Sequence, residues 1–326
     1  MKLLSLLYFI FSTIRPYHLS GHAQGTTWHI TYYNNDSTIL VSQIDSILNK
    51  LDSSLSLYKP HSLIDQFNQD KHGVRMDFHL KTVVQTSFDT WRQTDGLFDI
   101  TVQPLVEAWG FSAHKPDDYP DSARIHNILS CIGSDQLSIK GDSLIKTKPC
   151  VRIDLDGIAQ GYSVDVLAAF LEQNHIANYM VELGGELRVK GRKQPSGEHM
   201  RVGIEAPDEN GFGEQVIQRV ISFNNGAVTT SGNYRAFHER GGKKFSHTID
   251  PRTGFPSDNE LISVTVFARQ AITADAYDNV LMLMGLEKAM QFVVGRKDLA
   301  AFFIYRNKQG AIVSATSKSF NALLMP

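Results

Sequence analysis

Ile153-Asp154-Leu155-Asp156-Gly157-Ile158-Ala159-Gln160-Gly161-Tyr162 changes character at its centre. A strand ends at the acidic residues, a glycine turn follows, and a helix opens. Val164, Leu167, Ala168 and Leu171 then recur at helical spacing, which predicts a helix from Gly157 to Gln173. Such a join aims backbone N–H groups and a helix N-terminus at one point, as phosphate binding requires. The stretch is neither a GxxxxGK[ST] loop nor a GxGxxG fingerprint. Read as structure alone, it is a strand-to-helix connection with Asp156 as N-cap.

On the N-terminal side, Trp28 to Tyr33 reads as a strand. Ile44, Ile47, Leu48 and Leu51 mark one helix face, and Leu80, Val83, Val84, Ser87, Phe88 and Trp91 mark a second. Residues 115–126 are polar with two prolines and read as an exposed loop, and 137–146 as a hairpin turning at Gly141-Asp142. On the C-terminal side strands dominate, at 179–183, 186–190, 200–204, 216–223, 226–230, 234–239, 261–267, 300–305 and 311–314. Helices at 273–284 and 286–294 interrupt them. This order predicts an α+β fold with substantial antiparallel sheet. There is no internal repeat or Pro/Ser-rich linker, so residues 21–326 read as a single domain, with two lobes allowed.

The 326 residues carry 34 acids against 32 Lys plus Arg, a balance that excludes a general nucleic-acid binder. A mean hydropathy of −0.19 excludes a polytopic membrane protein. Residues 1–20 read as a signal peptide or short anchor: Lys2, then an apolar run to Ile14, then Arg15. That run is shorter than the ~20 apolar residues of a membrane span. No cysteine follows it, so no lipoprotein anchor is expected. The predicted destination is the periplasm, with attachment to the outer face of the inner membrane allowed. Cys131 and Cys150 lack CxxC spacing, so a zinc site is not expected; one disulfide and two buried thiols both stay open.

Four more clusters combine Gly, Asp and hydroxyls at turns. They are Thr94-Asp95-Gly96-Leu97-Phe98-Asp99, Glu182-Leu183-Gly184-Gly185-Glu186, Thr229-Thr230-Ser231-Gly232-Asn233-Tyr234-Arg235 with His247-Thr248-Ile249-Asp250-Pro251-Arg252-Thr253-Gly254, and Thr273-Ala274-Asp275-Ala276-Tyr277-Asp278-Asn279. Each has an ordinary reading as turn or cap chemistry. Asp275 and Asn279 stand i, i+4 on one helix face, with Asp278 on its edge, and oxygen ligands so spaced suit Mg²⁺.

All five clusters occur together and in order. With Ala23-Gln24-Gly25-Thr26-Thr27-Trp28 and Leu55-Ser56-Leu57-Tyr58, they make the sequence resemble the ApbE family of FAD:protein FMN transferases over residues 23 to 285. The resemblance implies a two-lobed, T-fold-like α+β architecture with mixed, largely antiparallel sheets, packed helices and an FAD site between lobes. It implies Mg²⁺-dependent transfer of FMN from FAD to a Thr or Ser hydroxyl of a partner flavoprotein, with AMP released. By motif match, flavin or nucleotide contacts fall to Gln24, Tyr58, Leu97, Phe98, Asp99, Asp154, Gln160 and Thr248. Metal oxygens fall to the Gly157 carbonyl, Asp275 and Asn279. Gln160 and Asn279 depart from the family pattern, which more often has Lys or Glu and Thr there.

His247 is the expected base, because histidine exchanges protons near neutral pH; Asp250 or Asp154 would orient or replace it. Two rival readings use the same residues. One is an Mg²⁺-dependent FAD pyrophosphatase, and the other a non-catalytic periplasmic FAD-binding protein.

Overall fold

The computed structural model describes residues 14–112, 118–206, 217–233, 237–240 and 243–325. Most of the predicted leader, part of the polar loop, the start of the 216–223 strand, and Tyr234 and Arg235 lie outside them. The first elements are β1 (Arg15–Ala23), β2 (Thr26–Asn34), α1 (Val41–Leu55), α2 (Leu63–Gln69), β3 (Gly73–Arg75) and α3 (Phe78–Gln93). There follow α4 (Gln103–Ala108), α5 (Ser122–Leu129), β4 (Leu137–Lys140), β5 (Ser143–Lys146) and α6 (Ala159–Gln173). The C-terminal half comprises β6 (Tyr179–Leu183), β7 (Glu186–Lys190), β8 (Met200–Glu205), β9 (Ile217–Phe223), β10 (Asn225–Gly232), β11 (Phe237–Arg240) and β12 (Lys243–Ser246). It ends with β13 (Leu261–Ala268), α7 (Ala271–Met284), α8 (Leu286–Val293), β14 (Leu299–Arg306), β15 (Ile312–Thr316) and α9 (Lys318–Asn321).

An eight-stranded sheet in the order β1-β2-β6-β7-β10-β13-β14-β15 organises the molecule. Every adjacent pair in it is antiparallel. The mixed helices and antiparallel sheets make an α+β fold, as the sequence predicts. Arg15–Ser20, assigned above to the leader, lie in β1 and pair with β2 in register. Among the described residues no helix is long and apolar enough to cross a membrane.

Trp28, Ile30 and Tyr32 alternate on β2 and are fully buried, joined by Tyr179 and Val181 of β6. Burying each such side chain stabilises the fold by roughly 1.5–3 kcal/mol. They share a core with Leu48, Leu51, Val83, Val84, Leu167 and Leu171 of α1, α3 and α6. The opposite side of the sheet meets β8, β9 and α9 through Met200, Ile221, Phe223, Phe302 and Phe320.

A separate apolar cluster of Leu105, Trp109, Ile125 and Ile249 gathers α4, α5 and the segment after β12. Ser122–Leu129 is thus helical, not loop: Asp121 accepts from the Arg124 N–H, and Ile125 is buried. The polar composition of 115–126 masks Ile125, which with Ile128 and Leu129 just beyond that stretch gives the helix its inner face. Cys131, just beyond α5, is disulfide-bonded to Cys150.

Candidate active site

α7 is buried nearly all round, with Ala271, Ile272, Ala274, Tyr277, Leu281 and Met282 packed on several faces. Its Asp275 and Asp278 are therefore carried inside rather than to solvent. α6 crosses it at very short range. A Cβ on Gly161 would lie 2.4 Å from the Ala271 carbonyl oxygen and 2.7 Å from Asp275 Cβ. The glycine is a steric requirement of the crossing. Its backbone N–H donates to Asp275 Oδ2 at 2.8 Å.

A cavity of about 450 Å³ opens beside this crossing. Its lining includes the acidic Asp154, Asp156, Glu186, Asp275 and Asp278, the apolar Leu97, Phe98, Ile100, Val106 and Phe111, and His247, Thr248 and Ile249. Among the described residues lining it there is no lysine or arginine. Burial pushes the Asp154 and Asp156 carboxyls above the usual carboxylate range, Asp154 further by the charge of Asp156. Burial, then the charge of Glu186, raises Asp275; burial, then the charge of Asp275, raises Asp278. Oδ1 of Asp278 is buried with no hydrogen-bond partner. Uncompensated buried carboxylates are costly unless a cation joins them.

A second cavity of about 760 Å³ holds Gln24, Tyr58, Ala159 and Gln160, and Asp156 lines both. The Tyr58 hydroxyl donates to Asp156 Oδ2 at 3.2 Å, and its pKa is pushed up to about 12, first by the Asp156 charge. Gln24 sits in the β1–β2 turn at φ 53 and donates from Nε2 to Ser163 Oγ at 3.0 Å. The flavin-contact residues predicted from sequence thus fall into two groups. Leu97, Phe98, Asp154 and Thr248 line the first cavity, and Gln24, Tyr58 and Gln160 the second. Oγ1 of Thr248 is buried without a hydrogen-bond partner.

Two predicted site residues are also held by protein partners, and the cap reading of Asp156 is corrected. Asp99 lines the first cavity, but its carboxylate is engaged within the protein. Oδ1 accepts from the Thr101 N–H (2.8 Å), Thr101 Oγ1 (2.6 Å) and Ser134 Oγ (2.8 Å), and Oδ2 from the Ser134 N–H (2.8 Å). It ties two loops together at the cavity. Asp250 does not line the cavity. Arg252 holds it by Nε (3.0 Å), Nη2 (2.8 Å) and its backbone N–H (2.9 Å). Burial pushes the Asp250 carboxyl up, but these bonds outweigh it and the pKa falls below the usual range. Asp156 is no N-cap: the cap position of α6 is Ile158, and Asp156 instead donates its N–H to Asp154 Oδ1 at 2.8 Å.

The model of the family described as "ApbE family" matches residues 24–303. This chain belongs to the ApbE family. It is 34% identical over 312 residues to an FAD:protein FMN transferase of Haemophilus influenzae, covering 92% of this chain and 89% of that one. It is 37% identical over 280 residues to the enzyme of that name from Vibrio cholerae, covering 84% and 83%. Among solved structures, flavin transferase ApbE from Vibrio cholerae matches with TM-score 0.85 at 33% identity, over 95% of this chain and all of that one. The apo form of Pseudomonas stutzeri flavinyl transferase ApbE matches with TM-score 0.85 at 32% identity, over 95% and 97%. The ApbE fold expected from the motifs is therefore the fold this chain has.

The ApbE resemblance implied Mg²⁺, and the donor set fits a hard cation. Gly157, Asp275 and Asn279 line one cavity, and a Cβ on Gly157 would stand 3.4 Å from Asn279 Nδ2. The unpartnered Asp278 oxygen and the absence of a lining lysine or arginine leave negative charge for a cation to offset. Among the described residues no three His, Cys, Asp or Glu side chains form a closed metal cluster. Mg²⁺ commonly takes one or two carboxylates and completes its shell with water and phosphate oxygens. Asn279 presents its amide nitrogen to Gly157, while its Oδ1 accepts from Ser231 Oγ at 3.0 Å.

The sequence reading gave Asp156 and Glu186 only turn roles, and passed over Asp165 and Ser163. Asp165 falls within the helical run of 157–173, where no turn or glycine signal draws attention to it.

Proposed function

We propose that this chain transfers FMN from FAD to a Ser or Thr hydroxyl of a partner flavoprotein, releasing AMP and requiring Mg²⁺. The observation that carries this reading is a cavity lined by five carboxylates, by His247 and by apolar side chains, with no lysine or arginine among its described lining residues, in a chain related throughout to FAD:protein FMN transferases. Two contiguous cavities sharing Asp156 suit a dinucleotide better than a mononucleotide.

Mg²⁺, when bound, would neutralise charge on the diphosphate and on the leaving phosphate. Asp275, the Gly157 carbonyl and Asn279 would hold it. Leu97, Phe98 and Ile100 offer the flat apolar surface a flavin ring needs. Phe111 packs edge-on against His247, with ring centroids 6.4 Å apart, and limits the rotation of the imidazole. His247 takes the proton of the acceptor hydroxyl as its oxygen bonds to the phosphorus on the FMN side. The bond from that phosphorus to the bridging oxygen breaks, and AMP leaves with the bridging oxygen and its electron pair.

The chain is read as exported to the periplasm, with attachment to the outer face of the inner membrane as one arrangement. The Cys131–Cys150 disulfide supports an oxidising compartment. Incubation with FAD, Mg²⁺ and a Ser/Thr acceptor peptide, followed by mass spectrometry, tests the activity. The expected result is FMN mass on the peptide, equimolar AMP, and loss of both on chelation. Free FMN with unmodified peptide would make the chain a pyrophosphatase. FAD binding without AMP would make it a non-catalytic flavin-binding protein.

A further inference from the structure

α7 carries two of the cavity's carboxylates, Asp275 and Asp278, but is not capped by its own N-cap residue: the Gln270 side chain makes no capping hydrogen bond. The cap comes from another helix. Asp165 of α6 accepts from the Ala271 N–H at Oδ1 (3.0 Å) and from the Ile272 N–H at Oδ2 (2.9 Å). Both are first-turn donors with no partner inside the helix. Arg188 of β7 pairs with the same carboxylate, Nη1 to Oδ1 at 2.5 Å. Asp165 is buried, and the Arg188 side chain is 17% exposed.

Gly161 and Asp165 stand i, i+4 on one face of α6. Gly161 holds Asp275 and Asp165 holds Ala271, so the two contacts run in opposite order along the two helices. One contact alone would leave α7 free to pivot about it. Two contacts one turn apart fix both its rotation and its axial position.

We propose that Asp165, neutralised by Arg188, is a positioning residue: by capping α7 from outside it sets the rotation that turns Asp275 into the cavity. The inference rests on reading Asp275 as a cation ligand. Residues that orient metal ligands typically contribute about 10- to 100-fold in affinity or activity.

The test is a titration of Mn²⁺, followed by the EPR signal of the free ion, into the full chain with ADP present. Mn²⁺ stands for a hard cation, and ADP supplies a diphosphate with no flavin to transfer. Asp165→Ala should weaken Mn²⁺ binding about tenfold or more. Asp165→Asn keeps one acceptor oxygen for two donors and should weaken it less, though by more than about twofold. Asp121→Ala removes the cap of α5 and should lower the thermal midpoint without changing Mn²⁺ binding. Binding by both Asp165 variants within about twofold of the unaltered chain, against the loss expected of an orienting residue, would overturn the proposal. Equal losses in the two would overturn it too, because charge and not the cap would then matter. Should Asp165→Ala not fold, Asp165→Asn decides by the same twofold line. An unaltered chain that binds no Mn²⁺ would instead sink the cation reading of Asp275, and the positioning role with it.

Discussion

Gly161 donates its backbone N–H to Oδ2 of Asp275 across 2.8 Å, and this bond joins the first turn of α6 to α7. The bond exists because position 161 has no side chain. In Gly161→Ala the new methyl would meet the Ala271 carbonyl oxygen at 2.4 Å, so α6 and α7 must separate. The expected cost is about 1–3 kcal/mol of stability. Thermal denaturation measures it, and FMN transfer should fall well below what that instability explains. A variant with unchanged unfolding midpoint and full transfer would show that the crossing tolerates the methyl.

His247→Ala should slow FMN transfer by about 10²- to 10⁴-fold, the usual contribution of a positioned base. FAD affinity should stay near that of the unaltered chain, since the cavity keeps its apolar lining residues. Flavin fluorescence titration reads binding, and peptide mass spectrometry reads transfer. Retained transfer would remove His247 from the mechanism.

Asp99→Ala deletes the acceptor for four hydrogen bonds and leaves the Ser134 and Thr101 groups without it. The expected loss is about 2–4 kcal/mol, because buried donors become unsatisfied. Denaturant titration checks it. If Asp99 acts as a tie between loops, FAD affinity measured well below the melting temperature should change little.

Arg252→Met tests the Asp250 pair through pH. The folded pKa of Asp250 is depressed, so its contribution to stability is full above the ordinary carboxylate value of about 3.9 and is lost as pH falls through the lower folded value. The unaltered chain should therefore exceed Arg252→Met by a constant margin from pH 5 to 7, and the margin should shrink below about pH 4. Arg252 is half-exposed, so solvent screening holds that margin to no more than about 1 kcal/mol. A margin that grows on acidification would contradict the assignment.

Cys131→Ser with Cys150→Ser opens a loop with a sequence separation of 19. Loop-closure entropy predicts a loss of about 3 kcal/mol, and a reducing agent should lower the midpoint of the unaltered chain to match. The bond anchors the segment after α5 to the residues leading into Asp154. FMN transfer should survive its removal at low temperature.

Helices and strands whose periodicity is set by burial were legible in the sequence. Leu80, Val83 and Val84 on α3, and Trp28, Ile30 and Tyr32 on β2, face the core as their spacing predicts. α5 was obscured because its apolar residues begin only at Ile125, after a polar and proline-bearing stretch. The motif residues were legible as a set, and most of them do line the two cavities.

The order of elements and the α+β class could be read from residue types along the chain, because local periodicity and turn chemistry are short-range properties; the family and most of the predicted site residues came from the ordered set of motifs. Only the folded chain decided which carboxylates are committed to protein partners and which are left facing a void. Asp99, Asp165 and Asp250 are engaged by residues outside their motifs or by their own turn, whereas Asp278 retains an unmatched oxygen. The charge state and ligand capacity of a carboxylate depend on burial and on neighbours brought in from distant sequence, and no local pattern encodes either.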